Sequence, residues 1–247
     1  VSAPLAIDLF CGLGGWTEGL ITEGYRVVGF DNVRHRYGSA QYPAQLVLQD
    51  VLTIHGAQFK DAALIVASPP CQAYSYRAMP WKKSKALPPP DNALFEACFR
   101  IQREAEDAAG VPIPMVVENV CGAQKWVGRA RWHYGSFYLW GDVPALMPIV
   151  TKHVKVPTMG SGWYPTGHPK HVKGLAFNGH AERNLRMKNE GVKGSQGRER
   201  NHPKAFGRKI PNTSSHGSAR KAASAHIAKI PLPLARHIAR SWHPGAR

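Results

Sequence analysis

Ala63-Leu64-Ile65-Val66-Ala67-Ser68-Pro69-Pro70-Cys71-Gln72 decides how this chain is read. Five apolar residues running into Ser-Pro-Pro predict a buried strand that stops abruptly, because adjacent prolines fix φ and remove two backbone donors. The Cys71 thiol is thereby mounted on a stiff turn at the strand's C-terminal edge. A second apolar run, Met115-Val116-Val117, ends in the same way at Glu118-Asn119-Val120. Open α/β sheets place their sites at the carboxyl edges of strands, so the two groups can share one cleft. A nucleophile beside a carboxylic acid points to covalent chemistry on a ring, the thiol attacking and the acid holding a ring nitrogen.

Upstream, Leu5-Ala6-Ile7-Asp8-Leu9-Phe10 predicts a first strand and Cys11-Gly12-Leu13-Gly14-Gly15 a glycine-rich turn. A helix over 16–23 follows, closed by Gly24. Further strands are expected at 25–30, ending at Asp31, and at 47–48, ending near Asp50. A helix over 92–109 carries Leu94, Phe95, Cys98, Phe99 and Ile101 near one face. The strand before Glu118 and a sixth at 136–140 complete an alternation that predicts an α/β fold with a doubly wound, mostly parallel sheet. Lys82, Lys83, Lys85 and Pro88-Pro89-Pro90 mark a loop long enough to act as a lid.

Regularity fades after Pro148. Residues 151–222, rich in Gly, Lys, Arg, His and Ser, read as a small irregular lobe. Helical character returns at 218–227 and 232–242, where Leu234, Ala235, Ile238 and Trp242 form an apolar stripe suited to packing back on the sheet. Three parts are expected: a catalytic domain over 1–150, a basic region over 151–222 and a helical return over 223–247.

Charge follows the same division. Residues 1–150 hold 13 Lys+Arg against 13 Asp+Glu, whereas 151–247 hold 19 against 3, which accounts for the whole net charge of +16. A neutral core with one strongly basic part favours a polyanionic partner, nucleic acid first, over a merely solvated basic face. The four cysteines, Cys11, Cys71, Cys98 and Cys121, show no C-x-x-C spacing. Neither a zinc knuckle nor a disulfide scaffold is indicated, and His168 and His171 have no cysteine or carboxylate near them, so no metal is expected. With no signal-peptide pattern and no apolar run of about 18 residues, neither secretion nor membrane insertion is expected.

The glycine turn suits a nucleotide-like ligand, since positions without side chains allow close backbone approach. Its spacing, Gly12-x-Gly14-Gly15-x-x-x-Gly19, is not the dinucleotide fingerprint. Asp31 is placed to accept hydrogen bonds from ribose hydroxyls, and Asp50 to bond an exocyclic amine; each is equally readable as a turn residue or helix cap. A reactive thiol requires the thiolate, so the site is expected to favour the Cys71 anion. The apolar residues before Glu118 predict a buried carboxyl with a raised pKa, able to donate to a ring nitrogen.

Those residues bring a family resemblance with them. Along its catalytic part the chain resembles the DNA cytosine-5 methyltransferases. Asp8-Leu9-Phe10-Cys11-Gly12-Leu13-Gly14-Gly15 looks like that family's S-adenosylmethionine motif, Pro70-Cys71-Gln72 like its nucleophile motif with Ser75 at the family's serine, and Glu118-Asn119-Val120 like its Glu-Asn-Val motif. The stretch 227–235 resembles, more loosely, the last motif, lacking the usual Gly-Asn pair. The Gln-x-Arg-x-Arg motif is replaced at best by Gly128-Arg129-Ala130-Arg131.

The resemblance implies a class I S-adenosylmethionine-dependent fold, with residues 151–222 as a short target-recognition lobe. It implies methyl transfer to C5 of cytosine in double-stranded DNA, through a flipped base and a Cys71–C6 bond, S-adenosylhomocysteine being the product. Cys71, Glu118 and Arg131 (or Arg129) become the catalytic set. Asp8, Phe10, Cys11, Gly12, Gly14, Gly15, Asp31, Asp50, Pro70 and Leu94 become the cofactor set. Gln72, Ser75, Arg77, Lys82, Lys83, Arg183, Arg186, Arg198 and Arg200 are the expected DNA contacts. A monomer acting inside a cell is expected, in the cytoplasm of a prokaryote or a virus-infected host.

Three alternatives stand beside this reading. Amino-methyltransferases share the Ser-Pro-Pro start but place an aromatic residue where this chain has Cys71. An RNA-acting (tRNA) cytosine-5 enzyme would use the same chemistry, and phosphate neutralisation does not separate the two polymers. A catalytically silent DNA-binding module has no need of both Cys71 and Glu118.

Overall fold

A computed structural model describes residues 2–79, 82–147, 225 and 228–246. The expected lobe over 151–222, the helix over 218–227 apart from residue 225, and Arg183, Arg186, Arg198 and Arg200 lie outside the described residues.

Among the described residues, nine strands run in chain order: β1 (Leu5–Leu9), β2 (Arg26–Asp31), β3 (Arg36–Tyr37), β4 (Ala40–Gln41), β5 (Gln45–Leu48), β6 (Ala62–Ala67), β7 (Met115–Asn119), β8 (Trp132–Tyr134) and β9 (Phe137–Gly141). Among the described residues six α-helices are delimited: α1 (Gly15–Thr22), α2 (Gln72–Arg77), α3 (Lys82–Lys85), α4 (Ala93–Ala109), α5 (Gln124–Val127) and α6 (Leu232–Ser241). Seven strands form one sheet in the order β5, β2, β1, β6, β7, β9, β8, while β3 and β4 make a separate hairpin. The five strands from β5 to β7 are parallel, and β9 turns antiparallel against β7. The chain thus has the expected α/β class with a mostly parallel sheet.

Alternation along the strands explains why both faces must be covered. In β6, Ile65 and Ala67 join a core with Phe95, Cys98 and Ile101 of α4, whereas Leu64 and Val66 join Trp16 and Leu20 of α1 and Leu234 and Ile238 of α6. In β7, Met115 and Val117 belong to the first core and Val116 to the second. The sheet is doubly wound by this division.

Of the predicted stripe, Leu234, Ala235 and Ile238 are buried in the final helix together with Ala239, and Trp242 packs half-buried against the same core. It lies against α1 closely enough that a Cβ at Gly19 would collide with Ala235, and one at Gly15 with the Ile230 backbone. Glu23 adds ion pairs to Arg236 (2.7 Å) and Arg240 (2.9 Å), and Lys229 pairs with Glu18. After Cys71 the chain forms α2 and α3 where a loop is expected, and the guanidinium of Arg77 donates to the carbonyls of Ala73 (2.8 Å) and Pro88 (2.8 Å).

Candidate active site

β6 and β7 are parallel neighbours with Ala67 opposite Val117. Both therefore deliver their next residues, Ser68 and Glu118, side by side at the carboxyl edge. Three residues beyond Ser68, past the two prolines, Cys71 precedes α2, and its carbonyl accepts from the Ser75 amide at 2.9 Å. Asn119 locks the two edges together: its Nδ2 donates to the Pro69 carbonyl at 3.0 Å and its Oδ1 accepts from the Val120 amide at 2.9 Å. The proline mount of the thiol is thus tied to the strand that carries the acid.

Glu118 is 9% exposed. Burial raises its carboxyl to about 8, opposed by a hydrogen bond with the Ser68 hydroxyl. It is therefore largely protonated at neutral pH, as the apolar run predicts. Cys71 differs from expectation. Burial pushes its thiol above the ordinary value, a hydrogen bond with Ser75 pulls it down, and the Glu118 charge pushes it up again. The protein alone holds the sulfur as a thiol, chiefly because a desolvated cleft opposes a charge on it. The coupling nonetheless places thiol and carboxyl in one electrostatic neighbourhood.

The second group of expected residues gathers at the end of β1. Phe10 adopts φ 57, a left-handed conformation uncommon outside glycine, and ends the strand. Gly12 (φ 50) and Gly14 (φ 77) continue the turn with φ values that a side chain would strain. A Cβ on Gly12 would meet nothing within 4 Å, so the space beside that residue is open, whereas one on Gly14 would strike the Pro43 ring. Asp31, at the end of β2, accepts from the Gly12 amide (2.9 Å) and the Val33 amide (3.1 Å). An open glycine turn with a carboxylate beside it fits the sugar and polar tail expected of S-adenosylmethionine.

Asp8 and Cys11 are closed off from solvent, at 1% and 5% exposure. Asp8 Oδ2 accepts from the Thr17 hydroxyl at 2.6 Å, which also bonds the Tyr42 hydroxyl at 2.7 Å, while Asp8 Oδ1 is buried without a partner. Burial first, then the Asp31 charge, raises the Asp8 carboxyl to about 7. Asp50 caps a short helical turn, its Oδ1 accepting from the Leu52 amide at 2.9 Å. Leu94 stands half-buried in the first turn of α4, and Pro70 is exposed.

Among the expected DNA contacts, Gln72, Lys82 and Lys83 are exposed, whereas Ser75 faces the thiol and Arg77 is committed to backbone carbonyls. Arg131 is exposed, and its amide donates to the Leu139 carbonyl at 2.8 Å. Leu139 in turn pairs with Glu118 across β9, so Arg131 lies next to the strand row that ends at the acid. Arg129 is exposed in the preceding loop. Sequence reasoning missed Trp16, whose indole Nε1 donates to Ser68 Oγ at 3.0 Å and so links the two groups. It also missed Thr17 and Tyr42 under the glycine turn. No local spacing signals these contacts, which join residues 25 and 52 positions apart. Among the described residues no cluster of metal-ligating side chains occurs, and no helix is long and apolar enough to cross a membrane.

No curated protein matches the chain. Among solved structures, it is similar to a prophage-encoded E. coli chain described as a DNA modification methyltransferase, at 24% identity and a TM-score of 0.36, covering 51% of this chain and 35% of that one. It is similar to the S. pombe Dnmt2 methyltransferase at 17% identity and a TM-score of 0.34, covering 51% and 37%. The Entamoeba histolytica methyltransferase EhMeth follows at 16% and 0.33, covering 52% and 41%. The matched part spans under half the length of each of these chains. The family model of the C-5 cytosine-specific DNA methylases matches residues 5–126, a span that holds the glycine turn, Cys71 and Glu118, and over that span the chain is similar to that family.

Proposed function

We propose that this chain transfers a methyl group from S-adenosylmethionine to C5 of a cytosine flipped out of double-stranded DNA. One observation carries the reading: a thiol and a buried, protonated carboxyl stand at the ends of adjacent parallel strands, close enough that ionising the carboxyl would raise the thiol. When bound over the Gly12–Gly14 turn, S-adenosylmethionine supplies an electrophilic methyl group. Cys71 Sγ forms a bond to C6 of the ring, and the displaced electron pair makes C5 nucleophilic. Glu118 donates toward N3 and so holds the charge that the attack creates. Once C5 carries the methyl group, its proton leaves to a base, the sulfur–carbon bond breaks, and the ring and thiolate are restored.

Because the free protein keeps Cys71 protonated, its proton departs only with the base in place, which confines reactivity to the complex. Arg131, beside the acid's strand row, is the candidate for holding the flipped base, with Arg129 as its alternate. Lys82 and Lys83 are free to meet phosphate, and the excess of positive charge over 151–247 supports a polyanionic substrate.

Cys71→Ala is expected to abolish transfer of labelled methyl groups to duplex DNA while cofactor binding, read by calorimetry, persists. DNA containing 5-fluorocytosine should trap a covalent adduct on Cys71. Turnover without an adduct would reject attack by sulfur. Transfer to cytosine in tRNA but not in duplex DNA would change the polymer and keep the chemistry.

A further inference from the structure

The acid's own surroundings hold a device that neither the motifs nor the family match assigns. We propose that Ser68, held in place by the indole of Trp16, is the positioning residue that orients the Glu118 carboxyl and sets its proton affinity. The inference rests on Glu118 being the acid of the proposed reaction, and its basis is geometric. Ala67 opposite Val117 puts Ser68 and Glu118 next to each other, and Leu64, Val66 and Val116 below them define the face they share with Trp16. An indole N–H can only donate. At 3.0 Å from Ser68 Oγ it occupies a serine lone pair, leaving the single hydroxyl proton available to the carboxyl alongside.

Two further features make that contact consequential. Trp16 is 2% exposed and Glu118 9%, so solvent has little part in placing either group. The other influence on Glu118 besides burial is the Ser68 hydrogen bond, which favours the charged form. Removing the hydroxyl leaves burial unopposed. Trp16 is also the second residue of α1, directly after the glycine turn, so a ligand that shifts this helix start is transmitted to the acid through one indole.

The test titrates Glu118 by its carboxyl infrared band, taken as the difference from Glu118→Gln, in the wild type, Ser68→Ala, Ser68→Thr and Trp16→Phe. Ser68→Ala should move the titration to higher pH, Ser68→Thr should restore it, and Trp16→Phe should move it the same way by less. Methyl transfer to duplex DNA is read in parallel. Ser68→Ala should lower kcat roughly tenfold, the loss of one hydrogen bond to a neutral carboxyl, with KM for DNA little changed and the alkaline limb displaced upward. A titration that does not move in Ser68→Ala overturns the assignment, whatever happens to transfer. A titration that moves while wild-type protein methylates no cytosine upholds Ser68 and rejects the proposed reaction. Thermal unfolding of each variant shows which shifts come from an intact fold.

Discussion

Cys71 and Glu118 show how far single residues can be read. Their placement at strand ends follows from apolar runs and prolines, and the raised carboxyl follows from burial alone. The state of the thiol was not legible, since it depends on how deeply the sulfur is buried, which only packing decides. Four cysteines in different surroundings give a direct check. Iodoacetamide should label exposed Cys121 first and Cys71 more slowly, while buried Cys11 and Cys98 stay protected until unfolding, as followed by peptide mass spectrometry. Asn119 offers a second. Asn119→Ala removes the Nδ2 bond to the Pro69 carbonyl, so the thiol mount drifts from the acid. Transfer should fall by roughly a hundredfold, the penalty for about 1 Å of misplacement, with cofactor affinity unchanged.

Helices and parallel strands were the most legible elements, because period and turn chemistry mark them locally. α4 and the stripe on α6 lie within a residue or two of expectation. The hairpin of β3 and β4 and the strand β8 were not visible, being two or three residues long and defined by partners rather than by composition. The joint between α1 and α6 was only half legible: the stripe announces a partner, but nothing in it names the glycine face that receives it. Gly19→Ala should therefore destabilise the protein by about 1–3 kcal/mol through overpacking, against the slight gain expected for alanine in an unobstructed helix. Urea unfolding measures it. Ala235→Gly in the same background should recover part of the loss, since the two sites share one contact.

Among the described residues, Asp8 and Glu118 are buried acids whose protons make the stability of the whole molecule depend on pH. Asp8 titrates at about 7 and Glu118 at about 8 in the folded state, from ordinary values of 3.8 and 4.5. Below about pH 4 both states hold these protons and no cost arises. As pH rises, the unfolded chain releases them first, so stability falls until the folded values are passed and is constant above. Each acid accounts for a loss on the order of a few kcal/mol. Thermal midpoints should therefore drop between pH 5 and pH 8.5, and Glu118→Gln should flatten the upper part of that slope. The sheet class and both covering layers were legible from strand alternation, whereas this titration was not, because it needs the depth of each carboxyl in the finished fold. The late position of α6 has a consequence during synthesis. Roughly ninety residues separate β9 from the helix that covers Trp16 and Leu20. At about 5–20 residues per second, a ribosome takes several seconds to release them, and for that interval the outer flank of α1 is bare. That flank is where a chaperone would bind the nascent chain, and where a stop codon before residue 228 would leave a permanently sticky product.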